Sequence, residues 1–272
     1  MGRKKAVILF SFGLLSVFFL WSAISAAEKA LSSNDLDVVA HRGASGYTPE
    51  NTMAAFDLAV SMGSDFIEFD VHMSKDGVPV VIHDETLDKT TDGSGYVKDF
   101  TLRELKALDA GSSFNAAYAG EKIPSLQEVM DRYSGKVGIL IELKKPSLYP
   151  GIEEIVADIV QRYENKGPIM IQSFEQDSIR KIHALLPDLP VAVLISDKQH
   201  PLTDDQLIDI SSYASYINYD LQLLDEGVVK GIKAKHCKIM AWTIREGDQI
   251  AQARKLKVDG IITDYPDWIL YR

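Results

Sequence analysis

Only one cysteine, Cys237, occurs in the 272 residues, which excludes an internal disulfide and a cysteine-ligated zinc site. Basic residues are also in short supply: 29 Lys and Arg face 39 Asp and Glu, a formal charge of −10. This balance argues against a nucleic-acid backbone or an anionic membrane surface as the main partner, and any phosphate the chain binds needs a local basic site. The sequence contains no GxxxxGK[ST] loop, no HExxH pair and no Gly-rich fingerprint after its first strand. These absences argue against P-loop nucleotide hydrolysis, a paired-histidine zinc helix and a doubly wound open sheet. Stability must come from packing, and the chain is long enough for one α/β barrel or two small domains.

An apolar run from Ala6 to about Ile24 follows Arg3, Lys4 and Lys5 and precedes Ser25, Ala26 and Ala27. It reads as a cleaved signal peptide over residues 1–27, with an uncleaved membrane anchor over 6–24 as the alternative, because the run is nearly long enough to span a bilayer. Either way the remaining domain, 28–272, is expected to be secreted or extracytoplasmic.

Strands are expected at 37–42, 65–72, 79–83, 137–144, 168–174, 190–195, 215–220, 237–243 and 259–264. Helices are expected at 49–62, opened by Thr48 and Pro49, and at 125–134, 150–165, 175–186, 203–212, 225–235 and 246–256. Asp76-Gly77 is a hairpin signal, so the third strand is an antiparallel return of the second. Eight strands in βα alternation remain, the count a closed (β/α)8 TIM barrel requires. Residues 84–124 are too long for an ordinary connection and read as an insertion over the barrel mouth, with a short helix in TLRELKAL and either a lid role or none.

Barrel chemistry collects at the C-terminal strand ends. There, Glu68 and Asp70 share one face of an apolar strand by period-two geometry, and Glu142 ends the next barrel strand. Three inward carboxylates need a counter-charge. Arg42 and Lys144 could supply it as a structural ion-pair cluster, but a hard divalent cation, Mg²⁺ or Ca²⁺, suits an oxygen-only donor set better. The hairpin returns His83 to the level of the carboxylates, and His41 ends the neighbouring first strand. Two imidazoles flanking one metal suit a general base and a general acid. Arg42 and Lys144 beside the metal suit an anionic tetrahedral group such as phosphate, so phosphoryl transfer is the natural reaction. Thr263, Asp264, Asn218 and Asp220 read as residues that close turns, and His72, His183, His200 and His236 as loop or surface residues.

The segments AHRGASGYTPENT at 40–52 and EFDVHMSKDGVPVVIHDETLDKTTDGSG at 68–95 closely resemble the glycerophosphodiester phosphodiesterase family, as do IELK, IQSF, AWTI and GIITDYP further on. The resemblance implies a TIM barrel that hydrolyses glycerophosphodiesters to sn-glycerol 3-phosphate and an alcohol. It implies metal binding by Glu68, Asp70 and Glu142, acid-base roles for His41 and His83, and phosphate contacts from Arg42 and Lys144. Ca²⁺ is favoured over Mg²⁺ in an exported enzyme. Phe174 and Trp242 are candidates to pack against the glycerol carbons. An exported binding protein without turnover and a phospholipase-type diesterase on the same barrel are the competing readings, and the leaving alcohol is not legible.

Overall fold

The computed structural model of the protein describes residues 36–270, so the expected leader at 1–27 lies outside the described residues. The strands are β1 (Asp37–Ala40), β2 (Phe66–Met73), β3 (Pro79–Val81), β4 (Gly138–Leu143), β5 (Ile169–Ser173), β6 (Val191–Ile195), β7 (Tyr216–Asp220), β8 (Met240–Ile244) and β9 (Gly260–Thr263). Eight of them run parallel in the order β1-β9-β8-β7-β6-β5-β4-β2, and β1 pairs with β2 to close the barrel. β3 adds antiparallel to β2, with Val71 opposite Val81.

The interior of the barrel is plugged rather than open. Val39, Leu140, Met170, Ala192, Met240 and Ile262 form one buried apolar cluster, with Phe66, Tyr216 and Trp242 packed against it. Side chains two residues further along the same strands point the same way. That step upward from the plug reaches His41, Glu142, Gln172 and Glu68, so the sequence period itself places the polar groups as a layer above an apolar floor. The alternate face of β2 packs outward: Phe69 lies 5.6 Å from Phe56 on helix α1 (Met53–Met62).

The first helix starts later than expected. Thr52, not Thr48, is its cap and accepts from Ala55 N–H at 3.3 Å. Asn51 adopts a left-handed conformation with φ 60°, which breaks the helix just before Thr52, while the Thr48 hydroxyl donates to the Ala44 carbonyl. The insertion is no loose loop. Val80, Ile82, Leu87, Val97, Leu105, Ala110 and Ile123 make a core of their own against β3, and helix α2 (Leu102–Ala107) begins with a Thr101–Glu104 capping box.

Candidate active site

Asp70 and Glu142 are register partners on β2 and β4, and Glu68 lies one inward step below Asp70. One carboxylate oxygen from each falls within 4.8 Å of the others, and all three side chains are buried. Part of their bonding capacity is used. Glu68 Oε2 accepts from the Arg42 backbone N–H at 2.9 Å, Asp70 Oδ2 from Asn51 Nδ2 at 2.9 Å, and Glu142 Oε1 from Lys144 Nζ at 2.7 Å. Glu68 Oε1 and Asp70 Oδ1 are buried and accept no hydrogen bond from the described residues.

Charge explains what those free oxygens are for. Arg42 Nε sits 3.2 Å from Asp70 Oδ2, and Lys144 Nζ 3.6 Å from Asp70 Oδ1. Burial alone would raise the Asp70 carboxyl, but the two cations outweigh it and hold it well below the usual range. They do not suffice for its neighbours. Burial, then repulsion from Asp70 and Glu142, lifts Glu68 far above its ordinary value, and burial pushes Glu142 up to about 7 despite Lys144. Arg42 is shared with Glu50, whose Oε1 accepts from Nη1 at 2.9 Å. Two cations therefore cannot keep all three carboxylates ionised, and two carboxylate oxygens stay orphaned. Oxygen-only donors of this kind fit a divalent cation such as Ca²⁺ or Mg²⁺.

Each histidine is held through its Nδ1 by a carboxylate. His41 Nδ1 is 2.6 Å from Asp264 Oδ1, and His83 Nδ1 is 2.5 Å from Asp84 Oδ1. Asp264 is in turn fixed by Arg245, whose Nε donates to Oδ2 at 2.6 Å. Lys144 Nζ lies 3.2 Å from His83 Nε2; an ammonium only donates, so Nε2 is the acceptor and Nδ1 carries the proton. Burial lowers both imidazoles below their ordinary pKa, against the opposing pull of their carboxylates. In each ring Nδ1 thus faces a carboxylate and Nε2 is the nitrogen on the other side.

Several of these partners differ from the sequence expectation. Asp264 does more than close a turn, because the barrel closes β1 onto β9 and sets it beside His41. His72 is not a loop or surface residue: it is buried, with Nδ1 2.9 Å from the Tyr149 hydroxyl and Nε2 2.9 Å from the His83 carbonyl. It braces the backbone that carries His83. Asn51, Glu50 and Asp84 went unremarked in the sequence, although the adjacency of Asp84 to His83 was a usable signal. Asp264→Asn and Asp84→Asn should each lower kcat by about 10- to 1,000-fold, with little change in KM. A carboxamide holds the ring less firmly and permits the other tautomer. Steady-state kinetics on the two variants checks this.

His41, Arg42, Glu68, His83, Glu142, Lys144, Phe174 and Trp242 border a single cavity of about 120 Å³ at the C-terminal strand ends. Phe174 and Trp242 meet edge to face with ring centroids 5.6 Å apart. A larger cavity, about 610 Å³, opens beside Pro168, Pro190 and Tyr216 at the opposite strand ends, and it holds none of the candidate residues.

Residues 41–268 match the glycerophosphoryl diester phosphodiesterase family. The chain is 40% identical over 283 residues to a glycerophosphodiester phosphodiesterase of Bacillus subtilis, covering 98% of this chain and 96% of that one. It is likewise 40% identical over 237 residues to one from Caldanaerobacter subterraneus, with 86% and 96% covered. Among solved structures, a phosphodiesterase of Oleispira antarctica in complex with its product sn-glycerol-3-phosphate superposes with a TM-score of 0.80 at 31% identity, covering 86% of this chain and 95% of the other.

Proposed function

The chain belongs to the glycerophosphoryl diester phosphodiesterase family, and on that premise we propose that it hydrolyses glycerophosphodiesters to sn-glycerol 3-phosphate and an alcohol. The reaction in this reading is metal-dependent and uses His41 and His83 as its acid-base pair. One observation carries it: a carboxylate triad with two orphan oxygens shares a small cavity with two imidazoles, each oriented by its own carboxylate. A pocket for binding alone has no use for two such rings.

Glu68, Asp70 and Glu142 would hold a divalent cation, which when bound supplies Lewis-acid polarisation of the phosphoryl oxygens. Outside the cytoplasm, where the N-terminal segment directs the chain in this reading, Ca²⁺ is the expected ion. Arg42 and Lys144 bring fixed positive charge to the same oxygens and neutralise what develops as the nucleophile approaches. One imidazole takes the proton of the nucleophile, either water or the glycerol 2-hydroxyl, on its Nε2, and the other enters the step as the imidazolium, gives its Nε2 proton to the departing alkoxide and becomes neutral. The aromatic pair Phe174 and Trp242 offers carbon surface to the glycerol backbone.

The test is release of sn-glycerol 3-phosphate from glycerophosphocholine, glycerophosphoethanolamine, glycerophosphoglycerol and polyglycerol phosphate, in Ca²⁺ or Mg²⁺ and with chelator. The expected result is release from at least one diester that chelator abolishes. No release from any of them in either ion would instead support a binding protein without turnover.

A further inference from the structure

Two buried amides form a relay whose polarity the backbone fixes. Asn218 on β7 and Gln172 on β5 are both buried, on alternate strands of the barrel. The Met240 backbone N–H donates to Asn218 Oδ1 at 3.1 Å. A backbone N–H can only donate, so Asn218 must turn its Nδ2 the other way. There it donates to Gln172 Oε1 at 2.9 Å, which uses the carbonyl end of Gln172 and commits the opposite end, Nε2, as a donor. Among the described residues no group accepts from Gln172 Nε2, and Gln172 borders the candidate cavity. Ala192, the β6 register partner of Gln172, is small enough to let the two amides meet across that strand.

The surroundings indicate what this donor meets. Gln172 is the register partner of Glu142 and so stands one strand away from the triad. Arg42 and Lys144 already supply charge for a phosphate. The same cavity wall also carries carbon surface from Phe174, Leu194 and Trp242, whose buried Nε1 likewise has no partner among the described residues. A neutral donor set in carbon surface matches the neutral hydroxyl of a small polyol.

We infer that Gln172, oriented by Asn218, is a specificity-determining residue that donates to a hydroxyl oxygen of the glycerol moiety; the inference rests on the glycerophosphodiester reading above. An analogue without that hydroxyl leaves a buried donor unpaired, a loss that sites of this kind register strongly. Asn218→Asp should reverse the relay. The new carboxylate still accepts from Met240 but cannot donate, so Gln172 turns its Nε2 away from the cavity and presents a carbonyl oxygen there. Gln172→Met removes the donor at nearly constant length and without adding charge.

The experiment compares kcat/KM for a glycerol diester with the diesters of 1,2-propanediol and 1,3-propanediol, each missing one hydroxyl. Rates are normalised to bis-(4-nitrophenyl) phosphate, which has no glycerol at all. The wild-type enzyme should prefer glycerol over at least one analogue by about 10- to 100-fold; Gln172→Met should bring that ratio to within about threefold of unity, and Asn218→Asp, whose Gln172 carbonyl can still accept from the hydroxyl, should lower it less. If Asn218→Asp does not fold, as judged by its melting transition, Gln172→Met decides alone. A ratio unchanged in active Gln172→Met, or no preference in the wild type, overturns this inference by itself. A wild type that cleaves the aryl diester but no glycerol diester overturns the proposed substrate class, and this inference with it.

Discussion

His41→Ala and His83→Ala should each lower kcat for glycerophosphodiester hydrolysis by about 10²- to 10⁴-fold, while Ca²⁺ affinity stays within a few-fold of the parent. The two readouts separate because of how the rings are held. Each imidazole is anchored through Nδ1 to a carboxylate outside the triad, Asp264 or Asp84. Among the described residues neither ring is hydrogen-bonded to a triad oxygen, and Lys144 Nζ stands between His83 Nε2 and Glu142 Oε1. The double variant should lose little more than either single one, since a base without its acid is nearly as idle as neither. The pH profile follows in sign. Burial depresses both imidazoles below 6.5, so the histidine acting as base remains neutral into mildly acidic solution and the acidic limb of kcat/KM should fall below pH 6.5. Hydrolysis and calorimetric titration on the same preparations check both halves. Full activity in the double variant would remove the acid-base assignment.

Asp70→Asn should abolish turnover and weaken Ca²⁺ binding by about 100-fold or more, because it removes the carboxylate that the local cations keep ionised. The companion acids make the unloaded site sensitive to pH. Glu142 titrates at about 7 and Glu68 well above its ordinary value. Carboxylates raised on folding keep their protons in the native state after the unfolded chain has lost them, so stability falls as pH rises from about 4.5 through 7. A bound cation reverses the penalty, and its effect on melting temperature should therefore grow with pH. With free ion at about 100 times Kd the gain is about 2.7 kcal/mol, or about 5–10 °C for a domain of this size. Melting curves with Ca²⁺ and with chelator, at mildly acidic and mildly alkaline pH, measure it. A shift of equal size at both pH values would count against the assigned titrations.

The barrel was legible because short β-branched strands and polar helices alternate, and Asp76-Gly77 removes β3 from the count of barrel strands. All nine strands fall within a few residues of their expected spans. The start of the first helix was not legible, since Asn51 spends its side chain on Asp70 and takes a backbone conformation no periodicity reveals. Glu68 and Asp70 stood out as acids on one face of an apolar strand. Asp264 did not, because a carboxylate at a strand end ordinarily closes a turn, and its partner is 223 positions away in the chain. His72 shares the parity of Asp70, which hinted at burial, yet its bond to the His83 carbonyl depends on the fold of the hairpin. The Gln172–Asn218 relay needs three strands placed in space before any polarity can be assigned.

Calorimetric titration of Ca²⁺ into metal-stripped protein, at about pH 6 and about pH 8 in buffers of different ionisation heat, tests the central claim most directly. The triad as described predicts one saturable site per chain, with more protons released at the lower pH as Glu68 and Glu142 give theirs up. Absence of saturable binding at millimolar ion, or a site undiminished when all three acids are changed to their amides, would contradict it.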